Sequence, residues 1–383
     1  MAIETTRTTA AFAVVILLSP LSAHAGTLQS LYSFAGGADG AYPAGQLLLD
    51  TQGNLYGTTR DGGTTIRGFP RGQGTIFKLT PNGTKTTMLA FGGAIGVAPE
   101  DGLIADKAGN LYGTTVGGGA DFSGTVFKLT PNGTATALYT FTYQADGATP
   151  LGNLLQDGAG NLVGTAFHGG TGGYGVVFSV APDGTETVLH PFTGDDGGAS
   201  WATVVSDNAG NLYGTTVLGG TDNNGTIFKL APDGTETVLY SFTGYADGCL
   251  PASSLLLGAD GNLYGTALCG ARTAGTVFKL TLDGHFTLLY TFTGKSDGGD
   301  PFAGLVADSK GVMYGTAVMN GHNGGGTLFR ITTAGTMTTL YEFNGKSGRH
   351  PHGHLIIDKN GALYGTTSHS GAHGFGTVYR FTP

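Results

Sequence analysis

The chain has 383 residues, and its charge and composition exclude several classes of protein. Its 26 acidic and 18 basic residues give a formal net charge of −8, which does not suit a general nucleic-acid or anionic-membrane binder. Glycine accounts for 71 residues without the Gly-X-Y period of collagen, and a hydrophobic fraction of 40% is too high for a disordered chain. We therefore expect a folded chain of short elements separated by glycine-rich turns.

The first 25 residues have the pattern of a secretory signal peptide. Arg7 precedes an apolar run over residues 11–18, and Ala23 and Ala25 form an A-x-A cleavage site. The run is shorter than the ~20 apolar residues of a membrane helix, and Pro20 interrupts the sequence that follows it. We expect a secreted or periplasmic protein in which residues 26–383 form one domain, without a membrane span and as a monomer.

A tetrapeptide of the form Leu-Tyr-Gly-Thr returns seven times along the chain. The intervals between copies are 56, 51, 50, 51, 50 and 50 residues. A fixed period of this size predicts stacked supersecondary units, none of which can bury its own apolar face alone. The copies start at Leu55, Leu111, Leu162, Leu212, Leu263, Met313 and Leu363.

Each repeat contains four strand-like runs, as the fourth repeat illustrates. Residues 202–206, 211–216, 225–230 and 235–242 are rich in β-branched, leucine or aromatic residues, and Gly, Pro, Asn or Asp separates them. No window shows apolar residues at helical spacing over three turns. Seven units of four antiparallel strands predict an all-β fold, the seven-bladed β-propeller.

The two ends of the chain predict how the ring closes. Residues 28–34 match the fourth strand of a repeat, and the chain ends shortly after a third-type strand at residues 376–381. The N-terminal strand should therefore complete the last blade and remove an exposed sheet edge.

The connections within a blade fall into two sets at opposite rims. The first-to-second and third-to-fourth turns are tight and nearly identical between repeats, whereas the other connections are longer and vary. Cys249 and Cys269 lie one in each variable connection of blade five, and an exported protein can hold such a pair as a disulfide. Because binding residues usually lie on variable loops of a rigid scaffold, we expect function at the variable rim.

The repeat unit resembles a known family of bacterial exported proteins. The order G-N-L-Y-G-T-T, G-G, G-T-[VI]-F-K-L-T-P-[ND]-G-T and L-Y-x-F resembles the GloVer tandem repeat, whose members carry varied anchors or none. Blade three departs from it at Val163 and at Ser179 and Val180. The resemblance implies an extracellular propeller-like protein and supplies no catalytic residues. The period is also similar to that of kelch repeats, but the kelch tryptophan is missing, since Trp201 is the only tryptophan.

One position in each repeat should line the mouth of the central channel. It lies eleven residues before each tetrapeptide, at the head of the innermost strand. Trp201, Phe302 and His352 would form an aromatic arc facing Glu100. The arc is either a stacking platform for a sugar or other flat ligand or a hydrophobic plug that fills the ring. The seven residues are Ala44, Glu100, Leu151, Trp201, Ala252, Phe302 and His352.

Histidines are concentrated in blade seven. His352 and His354 are two residues apart on a strand and should point to the same side. Neutral imidazoles that converge suit a transition metal such as Zn, Cu, Ni or Mn. The alternative is a polar stretch that happens to be rich in histidine. The five residues are His350, His352, His354, His369 and His373.

A basic cluster lies at the predicted junction of blades seven and one. Arg60, Arg67 and Arg71 occupy a long loop of blade one, and Arg349 opens the corresponding loop of blade seven. Arginine pairs carboxylates and sulfates bidentately, which suggests an anionic ligand such as a uronate-containing glycan. The alternative is a solvated loop with surface arginines.

Two functions fit these observations. The first is a binding module that presents its variable rim to an extracellular glycan or protein. The second is a polysaccharide lyase, in which arginines such as Arg67 neutralise a uronate carboxylate and either Tyr42 or a blade-seven histidine such as His352 abstracts the C5 proton. The lyase requires these side chains to converge on one substrate-sized position.

Overall fold

The computed structural model describes residues 26–65, 70–244, 247–269 and 274–383. The predicted signal peptide and Arg67 therefore lie outside the described residues. The described chain forms seven antiparallel sheets, one for each repeat, which are the blades of a propeller. Helical structure within these residues is limited to one 3-10 turn, Gly37–Asp39, and none of it is long and apolar enough to cross a bilayer.

In five blades the strands lie in chain order from the channel outwards, whereas blade three has a fifth, short strand at its inner edge and blade seven takes its outermost strand from the N-terminus. Blade one contains β2 (Leu48–Leu49), β3 (Leu55–Thr59), β4 (Thr75–Leu79) and β5 (Lys85–Ala90). Blade two contains β6 (Ile104–Ala105), β7 (Leu111–Thr115), β8 (Thr125–Leu129) and β9 (Ala135–Thr140). Blade three contains β10 (Ala148–Pro150), β11 (Leu155–Gln156), β12 (Leu162–His168), β13 (Val176–Val180) and β14 (Glu186–Pro191).

The remaining blades repeat this order. Blade four contains β15 (Val205–Ser206), β16 (Leu212–Thr216), β17 (Thr226–Leu230) and β18 (Glu236–Ser241). Blade five contains β19 (Leu256–Leu257), β20 (Leu263–Ala267), β21 (Thr276–Leu280) and β22 (Phe286–Thr291). Blade six contains β23 (Val306–Ala307), β24 (Met313–Ala317), β25 (Thr327–Ile331) and β26 (Met337–Glu342). Blade seven contains β27 (Ile356–Ile357), β28 (Leu363–Thr367), β29 (Thr377–Thr382) and β1 (Thr27–Ser33).

The closure predicted from the chain ends is confirmed. The N-terminal strand β1 pairs antiparallel with β29, from Thr27 opposite Thr382 to Ser33 opposite Thr377. The last blade thus combines both ends of the described chain, and β29 is not left as an open edge. The predicted fold, a seven-bladed β-propeller closed by its N-terminal strand, is therefore correct.

The same aromatic contact joins every blade to the next. A phenylalanine just after the fourth strand of one blade packs edge-on or tilted against an aromatic ring in the third strand of the next blade, with centroids 5.0–5.4 Å apart. The core therefore lies between the sheets rather than within any one of them. The pairs are Phe34–Phe77, Phe91–Phe127, Phe141–Phe178, Phe192–Phe228, Phe242–Phe278, Phe292–Phe329 and Phe343–Tyr379.

The innermost strands are shorter than predicted. The first strand of blade four spans only Val205–Ser206, although the sequence suggested residues 202–206. The reason is that the preceding segment hydrogen-bonds to the neighbouring blade: the Thr165 hydroxyl of blade three donates to the Ala202 carbonyl at 2.9 Å. The threonine of the Leu-Tyr-Gly-Thr tetrapeptide makes this cross-blade bond in all seven blades.

Candidate ligand-binding site at the channel mouth

The seven residues predicted to ring the channel mouth line one cavity of about 910 Å³. The cavity opens at the variable rim, where it also receives side chains from the long loop of blade one and from blade seven. The closed ring thus brings together residues that are far apart in the chain, from Ala44 in blade one to His352 in blade seven. The seven are Ala44, Glu100, Leu151, Trp201, Ala252, Phe302 and His352.

A repeated backbone conformation brings each blade into the channel. Two positions before each ring residue, a non-glycine residue has a left-handed φ between 52° and 59°. Its N–H donates to a carbonyl in the loop of the preceding blade; in blade one, Tyr42 donates to Phe375 at 3.0 Å. Since this costly conformation occurs in all seven blades, it belongs to the scaffold. The residues are Tyr42, Ala98, Thr149, Ala199, Leu250, Asp300 and His350.

One side of the mouth is a wall of aromatic rings in mutual contact. The ring of Trp201 lies 5.5 Å from that of Phe302, and Phe302 lies 5.2 Å from His352. Trp201 bridges from blade four to blade six because the intervening blade five carries only Ala252 at this position. These rings are half-buried and still line the cavity, so the arc packs against itself and keeps surface open to a ligand.

The aromatic wall continues outwards over blade three. Phe167 lies 5.5 Å from Trp201 and 4.5 Å from His168, and the His168 ring stacks on Tyr143 at 6.0 Å with an interplanar angle of 25°. Sequence reasoning missed these three residues. The available indication was that blade three departs from the repeat at Val163, Ser179 and Val180. In the structure, its strand β12 runs two residues further than the counterpart in blade four and ends at His168.

The opposite side of the mouth carries paired charges. Arg60 Nε lies 3.0 Å from Glu100 Oε1, so the guanidinium of the loop of blade one reaches the ring residue of blade two. Burial raises the pKa of Glu100, and the positive charge of Arg60 opposes that shift. Arg71 and Asp61 line the same wall, and burial also raises the pKa of Asp61.

Charges of both signs line the cavity. The basic residues are Arg60 and Arg71, whereas the acidic residues are Asp61, Glu100 and Asp101. Two members of the basic cluster predicted from the sequence thus lie beside acidic residues, so the described part of the cavity wall is not uniformly positive.

Blade seven supplies imidazoles that are neutral near pH 7. Burial lowers the pKa of His352 to about 4, and it also lowers the pKa of His350 and of His369. The His369 ring lies 5.1 Å from His350 and 5.0 Å from Tyr42. Tyr42, His352 and His369 line the cavity and thus present neutral hydrogen-bonding groups beside the charged wall.

A carboxyl and an imidazole occupy the wall deeper in the channel. Burial raises the pKa of Asp101 and lowers that of His354, and the interaction between the two groups opposes both shifts. His354 was among the predicted residues, whereas Asp101 was missed although it directly follows Glu100. The backbone N–H of Gly102 donates to the Asp101 carboxylate at 2.7 Å and holds it in place.

The predicted metal ligands are only partly brought together. His352, His354 and His369 line the cavity, but His373 is exposed and is absent from its wall. In the part of the chain that the structure describes, the blade-seven imidazoles do not bring three ligand atoms within 4.8 Å of one another. A metal at blade seven therefore stays a prediction. Arg349 is exposed and outside the lining, although its backbone pairs with that of His369.

A disulfide supports the mouth from blade five. Cys249 and Cys269 are bonded, with their Cα atoms 5.0 Å apart, and they link the two variable connections of that blade. A smaller cavity of about 250 Å³ adjoins the disulfide and shares Phe302 and His352 with the main cavity.

Comparisons with known proteins agree with this architecture. No curated protein matches the sequence. The extracellular domain of a B. thetaiotaomicron protein provisionally named a one-component system aligns with 93% of this chain and 41% of its own, at 14% identity and a TM-score of 0.56. A Bacteroides uniformis protein provisionally named a 6-phosphogluconolactonase aligns over 76% of this chain and 84% of its own, at 18% identity and a TM-score of 0.50. At these identities the likeness concerns the fold alone.

The repeat itself identifies the family. Its profile matches residues 18–202 and 160–379, and the two matches together span nearly the whole chain. The chain belongs to the family of the Gloeobacter/Verrucomicrobia repeat.

Proposed function

We propose that the protein is an exported binding module that takes an extracellular glycan at the channel mouth. The observation that carries the proposal is the pairing, in one cavity, of the Trp201–Phe302 wall with the Arg60–Glu100 ion pair. A sugar ring has an apolar face that packs on aromatic rings. Its hydroxyl groups accept hydrogen bonds from a guanidinium group and donate them to a carboxylate.

Exposed apolar side chains on the variable rim support a ligand larger than one sugar. Most of the large hydrophobic side chains exposed in the described chain lie in the variable loops. Phe122, Tyr143 and Tyr174 lie on blades two and three and, together with the ring contacts there, extend the apolar surface outwards from the mouth, whereas Leu218 lies on blade four and Met319 on blade six. The residues are Phe122, Tyr143, Tyr174, Leu218 and Met319.

The charge balance favours recognition of hydroxyl groups over a strongly anionic ligand. Arg60 is already paired with Glu100, so a uronate carboxylate would have to displace that partner or bind Arg71 beside Asp61. The uronate-containing ligand suggested by the basic cluster is thus a specific variant of the proposal, and neutral and acidic glycans have to be compared directly.

A glycan array probed with the purified mature protein tests the proposal. We expect selective binding by the wild-type chain and at least a tenfold weaker signal for Phe302→Ala, because hot-spot aromatics carry most of the binding energy. Leu282→Ala is the matched control, since this side chain is 39% exposed and lies in the third-to-fourth turn of blade five, at the rim opposite the mouth. Equal binding by Phe302→Ala and wild type, or no glycan binding at all, contradicts the proposal.

A second candidate, lyase activity, is favoured by the neighbourhood of Tyr42. Tyr42, His369 and Arg71 line the same cavity, and the first two rings are 5.0 Å apart. In the proposed β-elimination, Arg71 pairs with the uronate carboxylate and Tyr42 or a neutral histidine takes the C5 proton. The C4–O bond then breaks, a C4=C5 double bond forms, and the leaving oxygen acquires a proton.

Absorbance of the unsaturated product distinguishes catalysis from binding. We expect wild-type protein to generate this product from a uronate polymer and Tyr42→Phe to lose the activity while keeping glycan binding. If the chain binds uronate glycans and releases no unsaturated product, the lyase candidate is rejected and the binding proposal stands.

A further inference from the structure

A compact group of potential metal ligands lies at the outer edge of the joint between blades three and four. His190, Asp196 and Glu236 each offer a ligand atom, and these atoms all lie within 4.8 Å of one another. His190 is on β14, the outermost strand of blade three, and Asp196 is in the loop that follows. Glu236 opens β18, the outermost strand of blade four. The group is far in sequence from the histidines of blade seven and shares no residue with the channel cavity.

Neighbouring groups hold these side chains in place, and they still offer atoms that can bind a metal ion. His190 Nε2 lies 2.9 Å from Asp196 Oδ2, and the other oxygen of Asp196 accepts from the backbone and hydroxyl of Thr193 at 2.8 and 3.0 Å. The side chains of His190 and Asp196 are only 15% and 18% exposed. Glu236 Oε1 is buried and has no hydrogen-bond partner.

Two carboxylates in a half-buried joint repel each other unless a cation lies between them. Within the described residues, no lysine or arginine forms an ion pair with either Asp196 or Glu236. In the joint between blades seven and one, a lysine takes the place of one of the two acids. There, Lys85 occupies the position of Glu236, and its amino group lies 2.9 Å from Asp39.

The joint between blades two and three isolates the role of His190. It has the same two acids, Asp146 and Glu186, but the third position is Tyr139, whose hydroxyl donates to Asp146 at 2.9 Å. A tyrosine hydroxyl that donates to a carboxylate is a poor metal ligand, whereas a neutral imidazole is among the most common ones. Five blades carry tyrosine here, namely Tyr32, Tyr139, Tyr240, Tyr290 and Tyr341.

We propose that His190, Asp196 and Glu236 form a binding site for a divalent transition metal such as zinc, which links blade three to blade four. One imidazole nitrogen and two carboxylate oxygens match the ligand preferences of Zn²⁺, and water completes the coordination. Because the ligands come from two blades, the bound ion stabilises the folded ring relative to the unfolded chain, in proportion to ln(1 + [metal]/Kd).

Thermal unfolding and calorimetric titration with Zn²⁺ test the site in the chelator-treated mature protein. For wild type we expect one equivalent of bound zinc and a melting temperature that rises with zinc concentration. His190→Tyr should fold, since it recreates the joint of blades two and three, but it should lose that equivalent and the rise in melting temperature. His350→Ala/His369→Ala should retain both, which separates this site from blade seven.

A gain-of-function variant makes the test independent of any loss of stability. Tyr139→His places an imidazole beside Asp146 and Glu186, so the stoichiometry should rise from one zinc to two. Absence of zinc binding in wild type, or equal binding by wild type and His190→Tyr, overturns the proposal.

Discussion

At the scale of single residues, the last three residues of the Leu-Tyr-Gly-Thr tetrapeptide each have a separate physical role. The tyrosine hydroxyl donates to the aspartate of the preceding turn, as Tyr213 does to Asp207 at 3.0 Å. The glycine allows close approach of the third strand, since a Cβ on Gly214 would lie 2.5 Å from the ring of Phe228. The threonine crosses to the next blade, as Thr215 does to the Ser253 carbonyl at 3.0 Å.

Substitution of this glycine should therefore be costly even though its backbone is extended. We expect Gly214→Ala to reduce the free energy of unfolding by about 1–3 kcal/mol, because the added methyl overpacks a rigid core. Gly158→Ala is the control, since its Cβ would meet nothing within 4 Å and should change stability by no more than ~0.5 kcal/mol. Denaturant unfolding measures both, and equal midpoints for the two variants would contradict this explanation.

The limits of sequence reasoning are also visible at this scale. The period and the turn residues predicted the blades and the seven channel positions, because these depend on spacing within a repeat. Asp101 and the joint around His190 were missed, since they depend on which side chains neighbouring blades bring together after the ring closes. Arg60 lines the cavity, but its pairing with Glu100 could not be predicted from either repeat alone.

At the scale of elements, the joints between outer strands differ in charge although the strands are alike. In the joint of blades two and three, Glu186 on β14 faces Asp146, whose carboxylate accepts from Tyr139. Burial, with a further contribution from Asp146, raises the pKa of Glu186 to about 7. The folded state therefore binds a proton on Glu186 more tightly than the unfolded state does.

This shift predicts a pH-dependent stability. Because the pKa is raised in the folded state, the contribution of Glu186 is fully present below its unfolded pKa of about 4.5 and is lost as pH rises through about 7. Glu186→Gln should therefore melt close to wild type at pH 5 and about 1–2 °C higher at pH 8. Asp222→Asn, at an exposed loop position, is the control. A gain for Glu186→Gln that is larger at pH 5 than at pH 8 would show that the sign is wrong.

At the scale of the whole molecule, the ring is held by seven equivalent joints, and one of them depends on the N-terminal strand. β1 supplies the outer strand of blade seven, and Phe34 just after it packs against Phe77 of blade one at 5.1 Å. Removal of residues 26–34 would expose the edge of β29 and open the joint between blades seven and one.

We expect a chain that starts at residue 35 to unfold at a markedly lower temperature than one that starts at Gly26. A synthetic peptide of residues 26–34 should restore much of the difference when added in trans, because it can pair with β29. Circular-dichroism melts with and without the peptide measure this. Identical melting of the two chains would mean that β1 does not close the ring.

Ring closure also creates the site, because only a closed ring places Trp201 and Phe302 opposite Arg60 and Glu100. Trp201 is the only tryptophan in the chain and lines the cavity, so its fluorescence reports on occupancy of the mouth.

The most direct test of the account is therefore a titration of Trp201 fluorescence with glycans selected on the array. A saturable change in intensity or wavelength, with an affinity at least tenfold weaker in Phe302→Ala and unchanged in Leu282→Ala, is the predicted result. Glycan binding that leaves the fluorescence of Trp201 unchanged would place the ligand elsewhere and contradict the assignment of the channel mouth.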